Sequence, residues 1–189
     1  MNASPCASRR LFFALWPDEA LREVLAAHVC RRLPRRLGRS VPTAHLHITL
    51  LFLGNVPATR VSCIEEAGAR ADAPPFEIVL DRLGYWPRPR VFWVGPSHSP
   101  AALFQLVGSL RRALEPCGLT LDGRPFQAHM TLLRKVARPP ARKIDITPVS
   151  WQVSDFALVE SCPVEGGVRY RPLHVWPLAA AGGGGEAGR

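Results

Sequence analysis

The tetrapeptide His47-Ile48-Thr49-Leu50 recurs as His129-Met130-Thr131-Leu132, each time inside an apolar run of strand character. A strand turns alternate side chains to opposite faces, so His47 and Thr49 share one face of their strand. His129 and Thr131 do the same on theirs. A single His-x-Thr in a strand is an ordinary core arrangement, but its repetition in matching surroundings is not. If the two strands meet, two imidazoles and two hydroxyls line one pocket from opposite sides. That inventory suits acid–base chemistry on a phosphodiester. Histidine titrates near neutrality, so one ring can take a proton from water while the other gives one to a leaving oxygen. The threonine hydroxyls can donate to phosphoryl oxygens where negative charge grows.

The rest of the chain reads as alternating strands and helices. Arg10–Trp16 is strand-like, and Pro17-Asp18 opens a helix over 19–32 with Leu21, Val24, Leu25 and His28 on one face. A basic loop leads to the first histidine strand, Leu46–Leu53, with Gly54-Asn55 as its stop signal. A helix over 57–71 follows, then strands Phe76–Leu83 and Val91–Val94 and a helix over 100–115. A short strand at Leu119–Leu121 and a turn at Asp122-Gly123 precede the second histidine strand, Gln127–Val136. Trp151–Glu160 and Val168–Trp176 read as a terminal hairpin around Glu165-Gly166-Gly167. This order suggests two α+β halves of approximate symmetry with the histidine strands facing each other. Residues 1–8 read as a flexible leader, 9–178 as a single bilobal domain, and 179–189 as a disordered Gly/Ala tail.

With 189 residues, 47% of them hydrophobic, the chain can bury a substantial core. Its apolar runs are too short to cross a bilayer and no secretory signal is visible, which points to the cytoplasm. The five cysteines (Cys6, Cys30, Cys63, Cys117 and Cys162) are odd in number and lack CxxC spacing, so they read as free thiols. The net charge of +9 favours an anionic partner such as RNA or nucleotides. Of the 24 basic residues only Lys135 and Lys143 are lysine, a bias that genome base composition alone can produce. The cluster Arg31, Arg32, Arg35, Arg36 and Arg39 is more pointed, because it lies just ahead of the first histidine strand.

Other candidates carry weaker signals. His45 and His47 form His-x-His, a metal-site spacing, but no Asp or Glu lies between Val41 and Pro57, and position 127 breaks the pattern in the second copy. Arg134 follows His129 by five residues, so strict alternation points it to the opposite face unless a bulge or its length brings it round. His28 reads as core or interface, while His98 and His174 have no companion motif. Tyr85, Trp86, Phe92, Trp93 and Phe126 can stack a base, although packing is their default use. There is no P-loop, no GxGxxG and no nucleophile elbow.

The motifs and their flanks resemble the two-histidine phosphoesterase superfamily, and within it the LigT-like RNA 2′,3′-cyclic phosphodiesterases, also known as 2′-5′ RNA ligases. The resemblance runs through Arg10-Leu11-Phe12-Phe13-Ala14-Leu15, then His47 to Gly54, then Phe126 to Arg134. It ends with Leu158-Val159-Glu160-Ser161 and the Gly167, Tyr170, Leu173 pattern. It implies a bilobal α+β fold with two pseudo-symmetric antiparallel sheets flanking a central cleft and helices outside. It also implies hydrolysis of cyclic phosphate ends to 2′-phosphomonoesters without metal or nucleotide cofactor. By position, His47 and His129 match the catalytic histidines, Thr49 and Thr131 the phosphate-binding hydroxyls, and Arg134 a basic residue after the second motif. His47 would then serve the leaving oxygen and His129 the water, although the residues alone leave the roles interchangeable. The family's proline before the second histidine is Ala128 here, which changes the rigidity of the strand's entry rather than the chemistry. His45, Arg35, Arg36 and Phe126 are candidate RNA contacts. The expected partner is RNA with 2′,3′-cyclic phosphate ends, such as tRNA fragments, or small cyclic nucleotides, bound by a monomer. Ligation by the reverse reaction and a non-catalytic RNA-binding module are the alternatives.

Overall fold

In the computed structural model, residues 8–34 and 36–179 are described. The leader ahead of Ser8, Arg35 and the tail beyond 179 therefore lie outside the described residues. The elements in chain order are β1 (Ser8–Leu15), α1 (Glu19–His28), β2 (Arg39–Ser40), β3 (Ile48–Pro57), α2 (Val61–Arg70) and β4 (Phe76–Leu80). Then come β5 (Arg82–Trp86), β6 (Val91–Gly95), α3 (Ala101–Leu114) and β7 (Met130–Arg134). The chain closes with β8 (Val149–Val153), β9 (Asp155–Val164) and β10 (Gly167–Pro177).

Pairing is antiparallel throughout. One half-sheet runs β10-β9-β1-β3, and the other runs β7-β6-β5 with β2 beside β7. The halves join where β3 meets β7, making eight strands, and β4 and β8 form a separate two-stranded sheet. The α+β class with antiparallel strands is thus as the sequence implies.

β1 shows why its run is apolar at every position. Leu11, Phe13 and Leu15 enter the main core, beside Leu103, Leu106 and Leu110 of α3 and Ile64 of α2. Phe12 and Ala14 point to the opposite face, where they meet Ala157 and Val159 and are flanked by Trp16 and Tyr170. A strand buried on both faces has no solvent side to encode. At the polar end of β1, Arg9 makes a two-pronged ion pair with Glu160 (2.7 and 3.1 Å), and Arg171 adds a third bond at 2.8 Å. The Arg9 bonds hold the Glu160 carboxyl down to about 2, so this nearly buried acid stays charged and ties β10, β9 and β1 together.

The structure corrects several local expectations. The first helix starts as expected, with the Asp18 carboxylate capping the Leu21 amide at 2.8 Å, but ends at His28 before a separate turn, Cys30–Arg32. Its buried stripe is Leu25 and Val29, while Val24 and His28 are exposed. Gly54-Asn55 does not stop β3. Gly54 takes φ +75° within a bulge, and the strand runs on to Pro57. Phe76–Leu83 splits at Asp81, whose carboxylate accepts from the amide and hydroxyl of Ser97 (2.7 and 2.6 Å), so the chain changes sheets there. Trp151–Glu160 likewise splits at Ser154, and Leu119–Leu121 is not a strand. The reading of all cysteines as free thiols also fails: Cys63 of α2 is bonded to Cys117 in the turn after α3, with Cα atoms 5.8 Å apart. Spacing could not reveal that pair, because packing of α2 against α3 creates it. Cys30 and Cys162 are free.

Candidate active site

The join between the half-sheets creates the site. Ile48 pairs with Met130, the central residue of each His-x-Thr, and both side chains are fully buried. Residues directly opposite in an antiparallel pair point to the same face. With Ile48 and Met130 turned into the core, their neighbours point the other way, into the cleft. The register sets His47 across from Thr131 and Thr49 across from His129. All four line one cavity of about 310 Å³.

Each histidine is held by the same local device. The Nδ1 of His47 meets the His45 carbonyl at 2.7 Å, and the Nδ1 of His129 meets the Gln127 carbonyl at 2.9 Å. A carbonyl only accepts, so Nδ1 carries the hydrogen and Nε2 remains as the free nitrogen of each neutral ring. The rings sit against aromatic walls. His47 stacks on Trp16 (centroids 5.5 Å) and touches Phe12 and Tyr170 at 5.0 and 5.2 Å. Trp86 stands edge-on to His129 at 4.4 Å. Burial is the main force on both titrations: it pulls His47 down to about 4 against the opposing hydrogen bond from His45. His129 is also lowered, again chiefly by burial.

Arg134 reaches the same cavity through a backbone irregularity. Leu133 faces Phe92 and Thr131 faces Trp93, which leaves Leu132 as an extra residue in β7. Leu132 and Leu133 are consequently both buried. The alternation resets, and Arg134 comes to the face of Thr131. The first copy has the same feature: Leu51 faces Phe13 and Thr49 faces Ala14, so Leu50 is the extra residue in β3.

A larger cavity of about 740 Å³ shares His47, Thr131 and Arg134 with the first and extends toward the β9–β10 hairpin. His45 lines it, 4.9 Å from the Tyr170 ring, at the mouth of the site. The other candidate contacts are not brought in. Arg36 is exposed and lines neither cavity, and Phe126 packs edge-on against Phe104 of α3 at 6.0 Å. Arg35 lies outside the described residues.

Sequence reasoning missed the site positions of Trp16 and Tyr170 beside His47 and of Arg124, which lines the 310 Å³ cavity. Trp16 continues the Phe12, Ala14 alternation onto the cleft face, a legible signal. Tyr170 and Arg124 depend on which strands and loops become neighbours. Among the described residues, no group of three His, Cys, Asp or Glu is placed to hold a metal ion.

The fold and site define a class: an α+β protein whose two half-sheets each deliver a His-x-Thr strand into one cleft. The chain belongs to the 2′-5′ RNA ligase superfamily, whose family model matches residues 16–162. It is 35% identical to the RNA 2′,3′-cyclic phosphodiesterase of Escherichia coli K12 over 90% of this chain and 97% of that one. To the RNA 2′,3′-cyclic phosphodiesterase of Archaeoglobus fulgidus it is 32% identical, over 88% and 99%. Among solved structures, E. coli LigT complexed with 3′-AMP superposes with a TM-score of 0.84 at 34% identity, covering 92% of this chain and 99% of that chain.

Proposed function

We propose that this chain hydrolyses RNA 2′,3′-cyclic phosphate ends to 2′-phosphomonoesters, with His47 and His129 as acid and base. The observation that carries the reading is the convergence of His47, Thr49, His129, Thr131 and Arg134 on one cavity. Thr49, Thr131 and Arg134 donate to the non-bridging phosphoryl oxygens and match the charge that grows there. One neutral Nε2 takes a proton from water as the oxygen attacks phosphorus. The bond to O3′ breaks, and the other ring, entering as imidazolium, gives its Nε2 proton to O3′. Exchange with solvent then resets the pair.

The family pattern gives His47 the leaving oxygen and His129 the water. Burial lowers both rings and does not separate the two roles. Attack by a 5′-hydroxyl in place of water would give a 2′-5′ linkage with the same groups, which is the ligase reading. Intact histidines and threonines in both halves argue against a non-catalytic binder.

The substrate partner is RNA carrying such an end, with tRNA fragments and small cyclic nucleotides in the same chemical class, and the working unit is a monomer. Among the described residues no helix is long and apolar enough to cross a membrane. A cytoplasmic site of action fits RNA as substrate. The Cys63–Cys117 bond weighs against it, because cytosolic thiols are kept reduced.

The test is to offer an oligonucleotide ending in 2′,3′-cyclic phosphate to chelator-treated protein and to identify the product. A 2′-phosphate is expected. A 3′-phosphate would reverse the leaving group, and activity lost on chelation and restored by a divalent metal would replace the two-histidine mechanism.

A further inference from the structure

The 740 Å³ groove is larger than the catalytic cavity and, apart from His47, Thr131 and Arg134, is built from different residues. At about 310 Å³ the catalytic cavity lies at the lower limit of small-molecule sites. The groove opens directly from it past His47, Thr131 and Arg134. Its walls combine two chemistries. Arg10, Arg39, Arg134 and Lys135 bring positive charge against one carboxylate, Glu165. Val41, Pro42, Val164 and Val168 are apolar, and Tyr170 offers an aromatic ring. Val164 and Val168 are 40% and 43% exposed, so their apolar surface is open to the groove. A bare anion would have no use for the apolar wall, and an apolar ligand none for the cations. A nucleotide uses both.

Two of the cations reach the groove from the ends of strands. Lys135 takes φ 58°, the left-handed region that a side chain with a Cβ avoids, at the point where β7 ends beside the groove. Arg10 stands over the Phe52 ring at 4.8 Å. Neither forms an ion pair among the described residues. Arg39 is instead a strap across the groove, donating to the Gly166 carbonyl of the β9–β10 turn at 3.1 Å.

The substrate's own geometry divides the cleft. On a terminal ribose closed by a 2′,3′-cyclic phosphate, the base departs from C1′ and the chain from C4′ and C5′. With the phosphate between His47 and His129, base and chain must leave in different directions. We propose that the groove is a subsite for the nucleotide on the 5′ side of the terminus, its phosphodiester held by Arg10 and Lys135 and its base against Tyr170 and the valines. This rests on the phosphodiesterase reading above and deepens it: the preferred substrate is an oligonucleotide end rather than a cyclic mononucleotide.

The test compares adenosine 2′,3′-cyclic phosphate with the dinucleotide ApA ending in the same cyclic phosphate. In wild type, kcat/KM for the dinucleotide should be at least about tenfold higher, mostly through KM, as expected for charge-assisted contacts remote from the reacting atoms. Arg10→Gln with Lys135→Gln should leave the mononucleotide within about twofold and remove most of that gain. Lys135→Gly relieves the left-handed backbone, so it should fold at least as stably while still losing part of the gain. Equal kcat/KM for both substrates in wild type, or a gain that survives the double substitution, would overturn the subsite, the second result placing the neighbouring nucleotide elsewhere. If neither substrate is turned over, the phosphodiesterase reading itself fails and the subsite with it.

Discussion

Arg134 and Phe52 occupy the same place in the two repeats, five residues after each histidine and just beyond a one-residue bulge at Leu132 or Leu50. The pseudo-symmetric cleft is therefore asymmetric in charge. One half supplies a guanidinium to the cavity from this position, whereas in the other Phe52 lines neither cavity and packs under Arg10. Arg134→Gln should lower kcat/KM by about 10- to 100-fold, the range of a charge-assisted hydrogen bond, while Phe52→Leu stays within about threefold. Steady-state kinetics on a cyclic nucleotide checks both, and equal effects would mean that the phosphate is not drawn toward Arg134.

His47→Ala and His129→Ala should each cost at least about 10² in kcat while the fold is retained. Their roles can be separated with a substrate carrying sulfur in place of O3′, because a thiolate leaves without needing a proton. The variant whose defect shrinks on that substrate has lost the acid. Thr49→Val and Thr131→Val should each cost roughly 2–4 kcal/mol of transition-state stabilisation, as in oxyanion sites that lose one donor. Threonines used only for packing would accept valine with unchanged kinetics.

The pH profile should be displaced toward acid. Turnover needs one ring neutral and one protonated, and burial lowers both rings, His47 to about 4 and His129 below its ordinary value of 6.5. Lowering a pKa moves loss of the imidazolium to lower pH, so kcat/KM should peak below 6.5 and fall as pH rises through neutrality. The bound phosphate anion favours the imidazolium, so the alkaline limb of kcat should lie above that of kcat/KM. Both limbs belong to the coupled pair until variants assign them. Profiles of kcat and kcat/KM from about pH 4 to 9 decide it, and coincident alkaline limbs above pH 8 would contradict the burial of the rings.

The Cys63–Cys117 bond closes a loop with a sequence separation of 54. A loop of that length is worth up to about 4 kcal/mol in the chain-entropy account. Reduction, or Cys63→Ala, should lower the denaturation midpoint by a corresponding amount and leave kcat/KM of the folded enzyme unchanged, since the bond joins α2 to the turn after α3 and neither cysteine lines the cleft. A thiol titration of the unfolded protein should find two fewer reactive cysteines before reduction than after it. Equal numbers before and after would show that the bond is not formed.

The helix start at Asp18, a strand over Arg10–Trp16 and the sharing of one face by His47 and Thr49 were legible in the sequence. Each depends on residues within a turn or two of one another, where capping and alternation act directly. The doubled motif also announced the chemistry, because two histidines and two threonines in matched strands have few other uses. What brings them together was not legible. The Ile48–Met130 pairing, the extra residues at Leu50 and Leu132, the ring of Trp16 and Tyr170 around His47, and the Cys63–Cys117 bond each require a partner far along the chain. A bulge exists only relative to the strand opposite it, so alternation read from β7 alone sends Arg134 to the wrong face. The sequence thus determined which groups are available and which way each faces on its own strand. The tertiary structure decided the register that sets His47 against Thr131, and the burial that moves both imidazoles, because register and burial are properties of neighbours that the local chain does not contain.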